Sequence, residues 1–145
     1  MNKLASEQMK TIDLPGVTKI NRGKVREIFA VDSHLLLVAT DRMSAFDVIL
    51  PDPIPWKGQV LTQLSNFWFG RLEDIVDNHL ISSQVEDFPA VLNPFKNQLV
   101  GRSTLAHKCD PLPVECVVRG YLAGSGWKEY QQTGEVCKIR LPGGL

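Results

Sequence analysis

The chain lacks a surplus of charge of either sign, a long apolar run and any paired cysteines. Its 145 residues carry 16 Lys or Arg and 16 Asp or Glu, so the formal net charge is zero. Proteins that hold nucleic acid or an anionic membrane by charge show a basic surplus, and that footprint is missing. No apolar stretch reaches the roughly 18 residues that a membrane-spanning helix needs. Met1 to Ile12 is polar and mixed in charge, without the basic start and apolar centre of a signal peptide. The three cysteines, Cys109, Cys116 and Cys137, are odd in number and far apart. That argues against a disulfide framework or a zinc site and for a reducing cytoplasm. Internal repeats are absent, as are G-x-G-x-x-G, H-E-x-x-H and G-x-S-x-G motifs. Ser125-Gly126-Trp127-Lys128 fits S-x-x-K but lacks S-D-N and K-T-G partners, so it reads as chance. His34, His79 and His107 stand isolated.

What is present is an α+β pattern of antiparallel hairpins with one long helix. The first fifteen residues read as a lead-in ending at Leu14-Pro15-Gly16. Val25 to Val31 and Leu35 to Ala39 read as strands joined by an Asp32-Ser33-His34 turn. Phe46 to Leu50 reads as a third strand, closed by Pro51, Pro53 and Pro55. From Gln59 to Leu80, apolar residues recur at helical spacing, which predicts one broad buried face with Phe67 and Trp68 in the core. A loop is expected around Phe88 to Asn97 and a strand over Leu99 to Lys108. The strand Leu112 to Arg119 follows, then a short helix from Ser125 to Thr133 stopped by Gly134.

Three places carry candidate chemistry. In Arg22-Gly23-Lys24-Val25-Arg26, a glycine flanked by cations suits a phosphate-facing turn, although a lone Gly-Lys is more often a plain hairpin detail than a nucleotide site. The basic run Lys19, Arg22, Lys24 and Arg26 is also compatible with a solvated face. Thr40 to Asp47 packs two carboxylates, an arginine and two hydroxyls at a strand exit; the alternatives are a ligand-holding loop and a capped turn with a local Asp–Arg pair. Arg119 on an otherwise apolar strand, feeding Gly124-Ser125 at a helix start, combines the parts of a small-phosphate site. A helix cap with a structural Arg119–Glu115 pair is the alternative.

Leu112 to Ser125 resembles, residue for residue, the signature of the SAICAR synthetase family of purine biosynthesis. Arg22 to Arg26, Ala39 to Asp47 and Lys57-Gly58 are similar to that family's N-terminal pattern, in the right order and at about the right distances. Trp127 to Tyr130 and Thr133-Gly134 look most like its longer, yeast-like branch. The resemblance runs from about Gly16 to Leu145.

The resemblance implies an ATP-dependent carbon–nitrogen ligase with magnesium on the phosphates. ATP would activate the carboxylate of carboxyaminoimidazole ribonucleotide, most simply as an acyl phosphate, and the amine of L-aspartate would then attack. It implies a kinase-like fold: residues 16–110 as the ATP-binding small lobe, and 111–145 as hinge and beginning of a second, substrate-binding lobe. Gly23, Lys24, Val25, Arg26, Lys108, Leu112 and Glu115 would bind ATP. Ser44, Asp47, Arg119, Gly124 and Ser125 would bind the ribonucleotide or line its cleft. No catalytic residue is assigned. The family's second signature, D-x-K-x-E-F, and its acidic magnesium ligands have no counterpart here, so no metal ligand is assigned. The chain therefore reads as the N-terminal portion of a cytoplasmic enzyme, inactive alone. A nucleotide-binding module and half of a split enzyme are the other readings. Self-association or a complementing chain would cover the exposed lobe face; nucleic acid and membrane are not expected partners.

Overall fold

The computed structural model describes residues 8–114, 118 and 120–145. The chain divides into two compact units, Met1–Asp110 and Pro111–Leu145, and each is described by itself.

The first unit is built on a five-stranded antiparallel sheet. β1 (Thr18–Arg22), β2 (Arg26–Val31) and β3 (His34–Ala39) follow one another, and then the chain makes a small hairpin of β4 (Ser44–Ala45) and β5 (Val48–Ile49). The helix α1 (Lys57–Leu72) follows, then β6 (Leu80–Ser82), two 3-10 turns, the short α2 (Lys96–Leu99) and β7 (Ser103–His107). The sheet order is β1-β2-β3-β7-β6. This is the expected α+β layout.

Strand alternation decides which side is sealed. Glu27, Phe29 and Val31, Leu36 and Val38, and Ser103 and Leu105 share one face, as the pairings Phe29 with Leu36 and Leu36 with Leu105 require. That face packs against Ile12, Leu14, Val85, Phe88, Leu92 and Leu99. The segment read as a lead-in thus contributes core: Ile12 and Leu14 are buried because the sheet would otherwise leave its apolar face wet. The other face, with Arg26, Ile28, Leu35, Leu37, Ala39 and Thr104, turns toward α1 and is only partly covered.

Several expected elements are corrected. Phe46 to Leu50 is not one strand, because Phe46 and Asp47 both take positive φ (49° and 66°) and turn the chain back on itself. The loop at 88–97 is mostly 3-10 helix, and α2 occupies Leu99, so the strand starts at Ser103. α1 ends at Leu72; Ile75 and Val76 keep helical spacing in a turn beyond it, and Leu80 belongs to a strand. β1 lies where the basic run stood, exposed along its whole length.

The largest correction concerns the helix's orientation. Of α1 only Gly58 is buried, while Val60, Leu61, Leu64, Phe67, Trp68 and Leu72 are exposed. Phe67 and Trp68 are therefore not core. The side laid on the sheet is small and polar: Gly58 fits against the Ala39 carbonyl, and the Thr62 hydroxyl donates to Arg102 O at 3.4 Å. A Cβ on Gly58 would stand 2.5 Å from Ala39 O and 3.0 Å from Thr40 O. Only glycine admits so close a helix–sheet approach.

In the second unit, α3 (Gly124–Thr133) leads into a hairpin of β8 (Glu135–Val136) and β9 (Ile139–Arg140). Gly134 stops α3 in the left-handed region (φ 72°), its N–H donating to Tyr130 O at 2.8 Å, as the sequence predicts. The Tyr130 hydroxyl donates to Pro142 O (2.7 Å) and accepts from the Leu145 N–H (3.1 Å), tying the last loop to α3. Of the strand expected over Leu112–Arg119, Glu115, Cys116, Val117 and Arg119 lie outside the described residues.

Replacing Gly58 with alanine is expected to lower the stability of the first unit by about 1–3 kcal/mol, the usual cost of overpacking. Urea unfolding followed by circular dichroism measures it. An unchanged midpoint would show that α1 can move off the sheet freely.

Candidate functional site

The turn between β1 and β2 is anchored by side chains from beyond β3. All four carbonyls of Gly23 to Arg26 are held from beneath by two residues of the Thr40-Asp41-Arg42 segment. Val25 O accepts from the Thr40 hydroxyl (2.8 Å) and the Thr40 N–H (3.0 Å). The Arg42 guanidinium donates to Gly23 O (2.8 Å), Lys24 O (2.9 Å) and Arg26 O (3.4 Å), and also to Lys10 O (2.6 Å). Its charge is met by Glu27, at 2.8 Å and fully buried. A guanidinium with its fixed fork of donors suits this task; a lysine could not reach so many acceptors.

Asp41 does the parallel work for α1. The helix starts after Trp56, whose side chain makes no cap hydrogen bond. The Asp41 carboxylate substitutes, accepting from the Gly58 N–H at 2.9 Å. It also accepts from the Met9 N–H (2.8 Å) and from both terminal nitrogens of Arg102 (3.3 Å each). An anion at a helix N-terminus is favoured by the helix dipole as well as by these donors. The local Asp–Arg pair expected as one reading of Thr40–Asp47 is not formed by Asp41 and Arg42: they pair with distant residues, not with each other. Both are buried, and their partners account for them.

Lys24 and Asp47 face outward. The Lys24 ammonium meets the Asp47 carboxylate at 2.5 Å, joining the turn to the β4–β5 hairpin. Their hydrogen bond, then their mutual attraction, holds the Asp47 carboxyl below its ordinary value. Asp47 and its neighbour Phe46 occupy the hairpin tip in left-handed backbone, with Phe46 fully exposed. For a bulky residue that conformation is costly, and such strain gathers at ligand-facing positions. Ser44 sits half-buried in β4 of the same hairpin.

Between the open sheet face and α1 lies a cavity of about 310 Å³, lined by Val25, Arg26, Leu37, Ala39, Lys57 and Leu61 among others. It brings Val25 and Arg26, expected at the ATP site, beside Lys57, the first residue of α1. Lys57 was visible only as part of the Lys57-Gly58 motif and not as a site residue; its distance from Arg26 in sequence hid the association.

The remaining expected residues are spread out. Lys108 is exposed just past the end of β7, and Leu112 is exposed in the second unit. Gly124 (φ 63°) opens α3 in a conformation that favours glycine, and Ser125 follows it, exposed and making no cap bond; Ala123 is the N-cap. Glu115 and Arg119 lie outside the described residues. Among the described residues no three His, Cys, Asp or Glu side chains converge as a metal site. No helix of the described residues is long and apolar enough to cross a membrane.

Residues 19–145 match the family model described as SAICAR synthetase. The chain is 57% identical over 133 residues to the phosphoribosylaminoimidazole-succinocarboxamide synthase of Syntrophotalea carbinolica, covering 92% of this chain and 45% of that protein. It is 55% identical over 142 residues to the same-named protein of Geobacter sulfurreducens, covering 98% and 48%. Among solved structures, the Saccharomyces cerevisiae SAICAR synthase complexed with SAICAR superposes with a TM-score of 0.83 at 46% identity, over 94% of this chain and 49% of that one. The chain spans about half the length of the relatives it matches.

Nuclear magnetic resonance titration of Asp47 is expected to give a midpoint below the ordinary value of about 3.9 and a return toward it in Lys24→Ala. Because the folded value is depressed, any stability the pair adds is present above the ordinary value and lost as pH falls through the folded one. An Asp47 midpoint indifferent to Lys24→Ala would dissolve the link between turn and hairpin.

Proposed function

The chain belongs to the SAICAR synthetase family, and we propose on that premise that it supplies the nucleotide- and ribonucleotide-holding part of an ATP-dependent ligase. The reaction joins L-aspartate to carboxyaminoimidazole ribonucleotide, giving SAICAR, ADP and phosphate. Bound ATP would supply the phosphoryl group that makes an unreactive carboxylate an acceptor for the amine.

The observation that carries this reading is the anchored Gly23–Arg26 turn. Gly23 has no positive φ, and a Cβ there would meet only Arg26 O, at an ordinary 3.6 Å. Neither backbone nor packing within the chain demands glycine, so the space it leaves favours something brought from outside. Lys24 beside it offers a cation whose present partner is a single exposed carboxylate, which phosphate oxygens can replace. Arg26 and Lys57 add charge at the cavity, while Val25, Leu37 and Ala39 offer an apolar wall of the kind a flat base packs on. The chemistry of these residues suits ATP. The described residues do not offer a magnesium site, so no step is assigned to that ion on this chain.

On this reading the chain's own residues bind and orient. Lys24 neutralises oxygens that gain charge during transfer, and Arg42 keeps the turn from yielding as it does so. Ser44 and Asp47, on the strained hairpin joined to Lys24, face the substrate. Gly124 and Ser125 present helix N–H groups suited to a ribonucleotide phosphate, with Arg119 as the bidentate partner implied by sequence. Lys108, Leu112 and Glu115 would contact the base. The isolated chain binds without completing the ligation.

Isothermal titration of the 145-residue chain with ATP, and separately with carboxyaminoimidazole ribonucleotide, is expected to show binding but no ADP release when aspartate is added. Absence of heat and of any thermal shift with both ligands would remove the binding reading; ADP release would remove the inactivity. Arg119→Lys is expected to weaken ribonucleotide binding by roughly tenfold, since the planar fork is lost while charge is kept. Unchanged affinity would take Arg119 out of the site.

A further inference from the structure

α1 is amphipathic in reverse. At about 100° per residue, Gly58, Thr62, Ser65 and Phe69 fall on the side laid against the sheet. Val60, Leu64 and Phe67 fall on the opposite side, Trp68 on its flank and Leu72 nearer the sheet, each between 40% and 60% exposed. A helix surface with one cation, Arg71, among Leu, Phe and Trp is an interface composition, rich in aromatics and poor in charge. Past its C-terminal end the stripe runs into a hollow of about 580 Å³ lined by Leu72, Val76, His79, His107 and Cys109. An aromatic ridge beside an apolar hollow can both insert and receive, which is how interface anchors pair.

The comparisons indicate the occupant. The solved yeast relative overlays 94% of this chain yet has as much chain again, since only 49% of it is matched. The bacterial relatives show the same proportion. A second copy of this chain would cover the stripe but leave that further half unseated. We propose that the outward face of α1, from Val60 to Leu72 with the hollow beyond it, is the docking surface for the polypeptide that forms the other half of the family fold. The inference rests on family membership and on the helix's orientation. It is independent of which ligands the Gly23–Arg26 turn holds.

The test reads assembly and needs no ligand. The part of the Geobacter sulfurreducens relative that this chain does not match is produced as a separate polypeptide and mixed with the 145-residue chain. Sedimentation is expected to show a one-to-one complex, weakened roughly 10–100-fold by Leu64→Glu or Trp68→Glu and not by Gln63→Glu on the polar flank. Joining the two polypeptides in one chain guards against a half that does not fold alone. With Cys109, Cys116 and Cys137, and any cysteine of the added half, replaced by serine, a Leu64→Cys thiol is expected to react with maleimide roughly tenfold more slowly in the joined protein than in the 145-residue chain. Asn97→Cys, an exposed control, should react equally in both. Complex formation indifferent to Leu64→Glu and Trp68→Glu, or equal Leu64→Cys reactivity in both proteins, overturns the proposal. So does a dimer of this chain alone that Trp68→Glu dissolves, which would make a second copy the occupant. ATP binding measured on the same samples separates failure here from failure of the ligand reading.

Discussion

Two adjacent residues of opposite charge, Asp41 and Arg42, decline to pair with each other, and the first unit depends on that. Asp41 is met by Arg102 and by the Gly58 N–H at the start of α1; Arg42 is met by Glu27 and by the carbonyls of the β1–β2 turn. All four side chains are buried. Removing one member of such a pair strands the other away from water, at a typical cost of about 3–5 kcal/mol. The arrangement fixes three things from one strand end: where α1 begins, how β7 enters the sheet, and the shape of the Gly23–Arg26 turn. Glu27 is held less completely than the rest. Among the described residues its Oε2 finds no hydrogen-bond partner, and Lys19 Nζ stands 3.4 Å away.

That network also explains why the candidate site is divided into a rigid and an adaptable part. The turn's carbonyls are engaged inward, so its conformation is set before any ligand arrives. Lys24 and Asp47, by contrast, are exposed and hold only each other. Exposed pairs are worth little in water, and this one can be exchanged for a ligand's charges at small cost. The Phe46–Asp47 tip adds strained backbone on the same hairpin, a conformation that the short β4–β5 ladder maintains.

Much of the sheet was legible. The β2–β3 hairpin follows from alternation and an Asp-Ser turn, and the end of α3 from Gly134. The family signature brought Gly23, Lys24, Ser44 and Asp47 forward, and the structure joins Lys24 to Asp47. What sequence could not show was long-range. Arg42 reaches acceptors 15 to 32 residues away, so a neighbouring Asp41 was the natural partner to suspect. Ile12 and Leu14 sit in a mostly polar segment, where they gave no periodic signal. α1 taught the sharpest lesson. Spacing brought the apolar residues from Val60 to Trp68 onto one side of the helix, but it missed the helix end at Leu72 and says nothing about what covers them. Burial was inferred from apolarity, whereas Gly58 and Thr62 are the residues that meet the sheet side.

The central claim is that Arg42 holds the candidate phosphate-facing turn from within. It is tested most directly by amide hydrogen exchange in Arg42→Lys, which keeps the charge against Glu27 and loses the fork. Exchange faster by roughly tenfold across Gly23 to Arg26, with β3 and β7 protected as before, is the expected result. Unchanged rates in the turn, or acceleration spread evenly over the first unit, would contradict it.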